Sequence, residues 1–290
     1  MNEQPRTVEL TAIPAMPRML LAAATTRKKS HTEPVFKPLV IRARGIRAEA
    51  AKLAKFSRVC GFDEGNALPL TYPHIMAFPL HMQLMLAPEF PFTPMGAVHV
   101  RNDIQQQRSL RADESLDFEV RLGSTEQVEK GYEVGIITEV SAGGVLVWQD
   151  LSVMLIRKHG SGVKSPAKVR SEGKEFDETL QWHLDANLGR QYAAASGDYN
   201  PIHLYSLTAK LMGFQRQIVH GMWSKSRCVA HLLPAGFEGA ASVNVAFKLP
   251  VFLPGSVTLV YNRKEGDAVF ELRDSSGVKP HLAGELTWSA

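Results

Sequence analysis

The feature that most constrains the fold of this chain is an internal repeat. Residues 56–61 (FSRVCG) align with residues 192–197 (YAAASG), and residues 98–100 (VHV) align with residues 243–245 (VNV). A repeat on this scale indicates duplication of one α+β unit. Each unit is predicted to be a main helix followed by antiparallel strands, with the sheet wrapped around the helix. Two such units can join their edges into one continuous sheet.

Composition shifts divide the chain around this repeat. The first 33 residues mix three prolines with a basic run and show no clear periodicity, which predicts an irregular arm. Residues 158–173 are rich in Lys, Gly and Ser, as exposed linkers are. The predicted segments are an arm at 1–33, a first repeat at 34–157, a linker at 158–173 and a second repeat at 174–290.

Hydrophobic periodicity and turn residues predict the elements of both repeats. We expect one helix to begin at Pro79 and another to be capped by Asp185. The predicted helices are residues 48–59, 79–87, 186–195 and a segment from Gly221 to just before Pro234. The predicted strands are residues 35–41, 115–122, 132–140, 145–156, 179–184, 242–248, 256–263, 268–273 and 282–288.

Composition also narrows the class of protein. A net charge of +4 fits an anionic small-molecule ligand and is too weak to indicate nucleic acid. Cys60 and Cys228 are the only cysteines, so neither a disulfide framework nor a zinc pattern is expected. The longest early apolar run, residues 19–24, is too short to span a membrane and does not resemble a secretory signal. We therefore expect a cytoplasmic protein.

One stretch of the second repeat concentrates polar residues that can do chemistry. Residues 192–209 read YAAASGDYNPIHLYSLTA, in which Asp198 and His203 stand five positions apart with Asn and Pro between them. Asn and Pro favour turns, so a short helix running into this bend can aim both side chains at one point. Residues 213–222 (GFQRQIVHGM) add a second glycine and a second histidine. A lone Asp/His pair is more often structural than catalytic, so the surrounding pattern has to decide.

That pattern resembles the MaoC-like (R)-specific enoyl-CoA hydratase/dehydratase family. The matching residues are a Tyr, then Ser-Gly-Asp-x-Asn-Pro-aliphatic-His, then an Ala six positions after the histidine, and residues 213–222 are similar to the family's next block. Residues 78–82 and 96–100 look like the degenerate first repeat of its double-hotdog members. The resemblance implies a double hotdog fold and reversible hydration of trans-2-enoyl thioesters to (3R)-hydroxyacyl thioesters. It implies a substrate carried on coenzyme A or acyl carrier protein, Asp198 and His203 as the catalytic pair, and no cofactor or metal.

Hydration needs an activated water and a proton for the neighbouring carbon, and two polar groups around one water can supply both. His203 has an intrinsic pKa near neutrality, about 6.5, and Asp198 can hold the water or orient the imidazole. Which of the two carries each proton stays open. Gly221, which opens a helix, offers a backbone N–H for the oxyanion that develops on the carbonyl.

Other residues of this region have weaker assignments. Asn200 is expected to fix the bend or the orientation of His203, and His220 to be a hydrogen-bonded structural residue or a second catalytic group. Ser226 can donate to the substrate or bond back to its own helix, and the two readings are about even. The candidates for contacts to coenzyme A phosphates are Lys210, Arg216, Lys225, Arg227 and Lys248.

The first repeat is expected to lack this chemistry. Phe62 stands where Asp198 stands, and no Asn-Pro-x-His follows it. Its helix offers an apolar wall for an acyl chain, although the same residues also suit an ordinary core: Met76, Phe78, Met82, Met85 and Leu86. Two other functions stay open, a thioesterase and a non-catalytic subunit that binds acyl thioesters. Monomer and homodimer are both compatible with the duplication.

Overall fold

A single eleven-stranded sheet runs through the computed structural model, which describes residues 4–14, 16–26, 28, 34–94, 96–157 and 175–289. The strands of the first half are β1 (Arg6–Leu10), β2 (Leu39–Ile46), β3 (Val98–Gln106), β4 (Leu116–Val128), β5 (Gly131–Ala142) and β6 (Val145–Arg157). Those of the second half are β7 (Glu178–Leu184), β8 (Ala241–Phe247), β9 (Gly255–Lys264), β10 (Asp267–Asp274) and β11 (Pro280–Trp288). The helices are α1 (Met16–Thr25), α2 (Ala50–Cys60), α3 (Tyr72–Leu86), α4 (Leu188–Ser196), α5 (Ser206–Leu211) and α6 (Gly221–Leu232), with a 3₁₀ turn at Pro201–His203.

The strand order repeats itself, which confirms the predicted double hotdog. The sheet runs β1-β2-β4-β5-β6-β3-β8-β11-β10-β9-β7, so β2-β4-β5-β6-β3 and β7-β9-β10-β11-β8 have the same order. The two halves meet at an antiparallel pair, β3 with β8, in which Asn102 lies opposite Val245. Each half packs its sheet against helices, and a continuous apolar core joins the two halves.

The aligned helices of the two repeats end in the same way. Helix α2 ends at Gly61 with φ 79°, and α4 ends at Gly197 with φ 80°. Both glycines adopt the left-handed conformation that residues with a Cβ rarely take, and each amide bonds back to the carbonyl four residues earlier. In the second repeat this sharp stop sends the chain directly into the segment with Asp198 and His203.

The central helix of the first repeat corrects the predicted start at Pro79. Helix α3 begins at Tyr72 with Pro73 in its first turn, and Pro79 lies inside it. An internal proline removes one helical hydrogen bond and is normally a breaker. Here the helix is buried almost all round, so packing against the surrounding sheet overrides the local preference of Pro79.

Three other local predictions are wrong. The irregular arm at 1–33 contains β1, which pairs in parallel with β2, and α1, which packs against α3. These elements depend on partners distant in the chain, which periodicity alone does not show. Asp185 does not cap α4, because the N-cap position belongs to Asn187. The strand expected at 35–41 begins only at Leu39.

The linker expected at 158–173 lies outside the described residues, so the division into four segments stays a prediction. Across the part of the chain that the structure describes, no helix combines the length and apolar character needed to cross a bilayer.

Candidate active site

The loop after α4 is folded by its own side chains. The Asp198 Oδ1 accepts a hydrogen bond from the backbone N–H of Asn200 at 3.1 Å. The side-chain Oδ1 of Asn200 in turn accepts one from the backbone N–H of Ile202 at 3.4 Å. The Thr208 hydroxyl donates to the Pro201 carbonyl at 2.6 Å. Asn200 therefore caps the 3₁₀ turn at Pro201–His203, and the turn presents Asp198 and His203 on the same side of the loop.

Close packing also sets the position of the turn. A Cβ on Gly189 of α4 would lie 2.0 Å from the His203 carbonyl oxygen, so only glycine lets the turn approach the helix this closely. The segment at 217–219 is held on its other side by hydrogen bonds to the backbone of Val251 and Leu253.

The hydrogen bond of His203 defines its tautomer. Its Nδ1 lies 2.8 Å from the carbonyl oxygen of Ile218. A carbonyl only accepts, so Nδ1 carries the hydrogen and a neutral His203 keeps a lone pair on Nε2. Burial lowers the pKa of His203 more than the charge of Asp198 and the bond to Ile218 raise it. The residue is thus a neutral base near pH 7 with Nε2 available.

His220 supports the other two residues. Its ring stacks on the ring of His203 at a centroid distance of 3.7 Å, and its Nε2 donates to the backbone carbonyl of Asp198 at 2.9 Å. The same Nε2 lies 3.8 Å from the Asp198 Oδ2. Burial and the neighbouring His203 keep its pKa well below the usual range. Its enclosed Nδ1 meets no hydrogen-bond partner among the described residues.

Asp198, His203 and His220 form what we call the second-repeat cluster. Each offers one polar atom within 4.8 Å of the others, a spacing that invites comparison with a metal site. The two imidazoles are stacked with their planes only 26° apart, and their lone pairs lie in those planes. Two such nitrogens do not converge on one ion at about 2.1 Å. The arrangement fits a water molecule and a moving proton better than a metal.

Gly221 opens α6 directly after His220. The first amides of a helix have no intrahelical acceptor and lie at its positive end, so the Gly221 N–H can bind an anionic oxygen. A Cβ at this position would lie 3.1 Å from the Phe247 ring, so glycine also keeps the helix start close to β8.

Comparison with known proteins identifies this arrangement. A family model described as a MaoC like domain matches residues 168–283, which contain the whole second-repeat cluster. The 3-hydroxyacyl-thioester dehydratase X of Mycobacterium tuberculosis is 32% identical over 240 residues, which are 82% of this chain and 85% of that relative. The chain belongs to the MaoC-like dehydratase family. These matches support a general dehydratase or hydratase activity.

Solved structures agree with this assignment. The crystal structure of HtdX from M. tuberculosis matches with a TM-score of 0.74 at 30% identity, over 86% of this chain and 100% of that one. A MaoC-like dehydratase from Phytophthora capsici shares the fold with a TM-score of 0.71 at 19% identity, over 90% and 98% of the chains. Among the sequence relatives, the (R)-specific enoyl-CoA hydratase of Aeromonas caviae is 41% identical over 71 residues, which are 23% of this chain and 52% of that protein.

Two residues of the MaoC-like repeat lie elsewhere than predicted. Lys225 is completely buried, and its Nζ donates to the Asn102 carbonyl at 2.8 Å and the Val243 carbonyl at 3.1 Å, so it does not reach a phosphate of coenzyme A. The Ser226 hydroxyl is also buried and bonds to the Thr71 hydroxyl at 2.8 Å, so it is neither exposed to substrate nor bonded back to its helix. Both side chains turn from α6 towards the first repeat.

The remaining basic candidates have different surroundings. Arg227 packs over the Trp182 ring at 4.8 Å and donates weakly to the Cys60 carbonyl, which ties it to the end of α2. Arg216 is exposed beside Phe252, Lys210 is exposed on α5, and Lys248 is partly buried. Arg216 and Lys248 stay candidates for phosphate contacts.

Two features of this MaoC-like chain were not predicted. The Ile218 carbonyl selects the His203 tautomer, and backbone partners of this kind leave no signal in side-chain motifs. The first repeat also holds a buried polar group, the first-repeat cluster, in which the Asp150 Oδ2 lies 2.5 Å from the His74 Nδ1. The sequence predicts an apolar wall from the helix of this repeat and does not indicate a buried polar group beside it. The other members of the first-repeat cluster are His81, His99 and Asn102.

Proposed function

We propose that the chain catalyses reversible hydration of trans-2-enoyl thioesters and dehydration of (3R)-hydroxyacyl thioesters. The observation that carries this proposal is the unblocked Nε2 of a neutral His203 next to the partly open carboxylate of Asp198. A base and a carboxylate on one side of a loop suit the activation of a single water molecule.

In the hydration direction, water lies between Asp198 and His203. His203 Nε2 takes one proton as the water oxygen bonds to C3, and the resulting imidazolium is stabilised by the carboxylate within 4.8 Å. The electron pair of the double bond moves to C2 and the thioester oxygen as an enolate. His203 then delivers its proton to C2, so one H₂O is added and both residues return to their starting states. Dehydration is the reverse sequence.

The enolate oxygen needs a donor that is already in place, and the Gly221 amide at the start of α6 has that role. Asn200 and His220 position the loop that carries Asp198, through the Ile202 amide and the Asp198 carbonyl. Arg216 and Lys248 are proposed to contact the carrier phosphates. The carrier is coenzyme A or an acyl carrier protein.

The test follows loss of the enoyl-thioester absorbance with purified protein, while free thiol is measured in parallel. We expect the band to disappear without thiol release for at least one acyl length among short, medium and long trans-2-enoyl-CoA. Thiol release would instead identify a thioesterase, in which the water attacks the carbonyl carbon. Tight binding without turnover would identify a non-catalytic subunit, and either result would overturn the proposal.

A further inference from the structure

An exposed apolar face lies directly beside the second-repeat cluster. Helix α5 begins three residues after His203 and carries Leu207 and Leu211, which are 71% and 81% exposed. Residues four apart share one side of a helix, so both leucines point the same way. Tyr205, which is 56% exposed, precedes them. We call Tyr205, Leu207, Lys210 and Leu211 the α5 face.

This face is rigidly connected to the catalytic turn. The Thr208 hydroxyl donates to both the Pro201 carbonyl at 2.6 Å and the Tyr205 carbonyl at 2.9 Å. Arg190 of α4 donates to the Leu204 carbonyl at 2.8 Å. Anything that binds the α5 face is therefore held at a defined position relative to His203.

Most of the charged residues on the chain segments that flank this face are basic. Asp198 is the only acidic residue between positions 186 and 220, whereas Arg190, Lys210 and Arg216 are basic. Lys210 lies on α5 itself, and the Arg190 guanidinium packs 5.0 Å above the Tyr205 ring. An apolar centre with a basic rim is complementary to an acidic protein surface.

We propose that the α5 face docks an acidic acyl carrier protein, which delivers the enoyl group on its phosphopantetheine arm to Asp198 and His203. This proposal rests on the proposed function and names its partner. Coenzyme A is a small molecule whose phosphates need only basic groups, so it leaves two exposed leucines unexplained. A symmetric pair of α5 faces from two copies would bring like charges together.

The test compares one enoyl group on two carriers. The double variant Leu207→Ser/Leu211→Ser is assayed with trans-2-enoyl-CoA and with the same enoyl group on a purified acidic carrier protein. We expect kcat/KM for the carrier-protein substrate to fall at least about tenfold, as for loss of two central interface residues, while kcat/KM for the coenzyme A substrate stays unchanged. Val145→Ser is the matched control, because Val145 is 65% exposed at the turn between β5 and β6.

Other outcomes overturn the docking proposal. Equal losses with both carriers, or no loss with either, would remove the α5 face from carrier recognition. The wild-type protein could instead form a dimer, or bind anionic vesicles, in a way that the double variant does not. Either result would assign the α5 face to another partner. If neither substrate is hydrated, the proposed function fails. Calorimetric titration with the enoyl carrier protein then tests docking separately, and affinity equal in wild type and variant would overturn it.

Discussion

The two repeats both bury histidines around one aspartate, but they treat the carboxylate differently. In the second-repeat cluster the Asp198 side chain is 26% exposed, and the Asn200 amide is bonded to its Oδ1. In the first-repeat cluster the Asp150 side chain is fully buried, with its Oδ2 2.5 Å from the His74 Nδ1. One carboxylate is open to a water or substrate, and the other is closed by protein donors.

Protein groups around the closed carboxylate keep it ionised. Burial would raise the pKa of Asp150, but the charge of His74 and hydrogen bonds from His74 and Asn102 outweigh it and hold the pKa at about 2. Asn102 Nδ2 donates to Asp150 Oδ2 at 3.0 Å, and the Ser152 hydroxyl donates to Oδ1 at 3.2 Å. Residue types alone therefore do not distinguish a catalytic cluster from a structural one. The difference lies in whether solvent or substrate can reach the carboxylate and whether its oxygens still have positions free to accept hydrogen bonds.

The first-repeat cluster has a structural role at the junction of the two halves. Lys225 of α6 donates to the carbonyl and the side-chain oxygen of Asn102 on β3, at 2.8 and 2.5 Å, and to the Val243 carbonyl on β8. The network thus connects α3, through His74 and Asp150, with the helix that begins at Gly221. We infer that this network fixes the position of α6 relative to strands β3 and β8.

The largest expected effect is on catalysis in the second-repeat cluster. Asp198→Asn and His203→Ala should each lower kcat for enoyl hydration by about 10²–10⁴-fold, because each removes a group that handles the water or its proton. The absorbance assay measures the rate, and a cooperative thermal transition in each variant shows that it is folded. Asp185→Asn and His183→Ala, at exposed positions of the same repeat, are matched controls. Near-normal rates in either active-site variant would rule out the catalytic assignment.

The first-repeat cluster should respond in stability instead. Asp150→Leu or His74→Phe alone leaves a buried partner unpaired and should lower the free energy of unfolding by about 3 kcal/mol in urea titrations. The double variant should lose less than the sum of the two, because it replaces the pair with apolar groups. Glu49→Gln, which breaks an exposed ion pair with Lys52, should cost under about 1 kcal/mol. Additive losses in the cycle would show that His74 and Asp150 are not coupled.

Local sequence patterns predicted the duplication, but they missed contacts between residues that lie far apart in the chain. The repeat could be recognised from residues that follow one another in the chain, and the structure confirms it, since Gly61 and Gly197 at its aligned positions each end a helix. The order of the strands in the sheet depends on pairing between distant segments and was not predicted. The pair of His74 and Asp150 joins residues 76 positions apart on different elements. Lys225 was misplaced on the surface because its acceptors come from β3 and β8, which only tertiary pairing brings together.

A smaller effect concerns the pH dependence of stability, through the buried lysine that bonds to Asn102 of the first-repeat cluster. The pKa of Lys225 is about 7, since burial lowers it more than Asp150 and Asp103 raise it, whereas a Lys in the unfolded chain has a pKa of about 10.4. Between these values the unfolded chain binds more protons, so this residue makes stability rise with pH. From about pH 7 to about pH 9, the free energy of unfolding of wild type should therefore increase relative to that of Lys225→Met. Parallel urea titrations measure it, and identical pH trends would contradict the prediction.

The smallest expected effect tests the Phe247 ring, which packs against both His99 of the first-repeat cluster and the start of α6 at Gly221. The centroid of the Phe247 ring lies 5.0 Å from that of the His99 ring, and a Cβ at Gly221 would contact the Phe247 ring at 3.1 Å. Gly221→Ala should displace this ring or the start of α6 and lower kcat by about fivefold to tenfold, the rate equivalent of about 1 kcal/mol of overpacking. Phe247→Leu in the same chain makes room for the new methyl group and should restore most of the rate. If Gly221→Ala lowers kcat and the second substitution does not rescue it, the loss comes from the methyl group blocking the approach of the substrate to the Gly221 amide. The Phe247 ring would then not be what sets the position of the Gly221 amide.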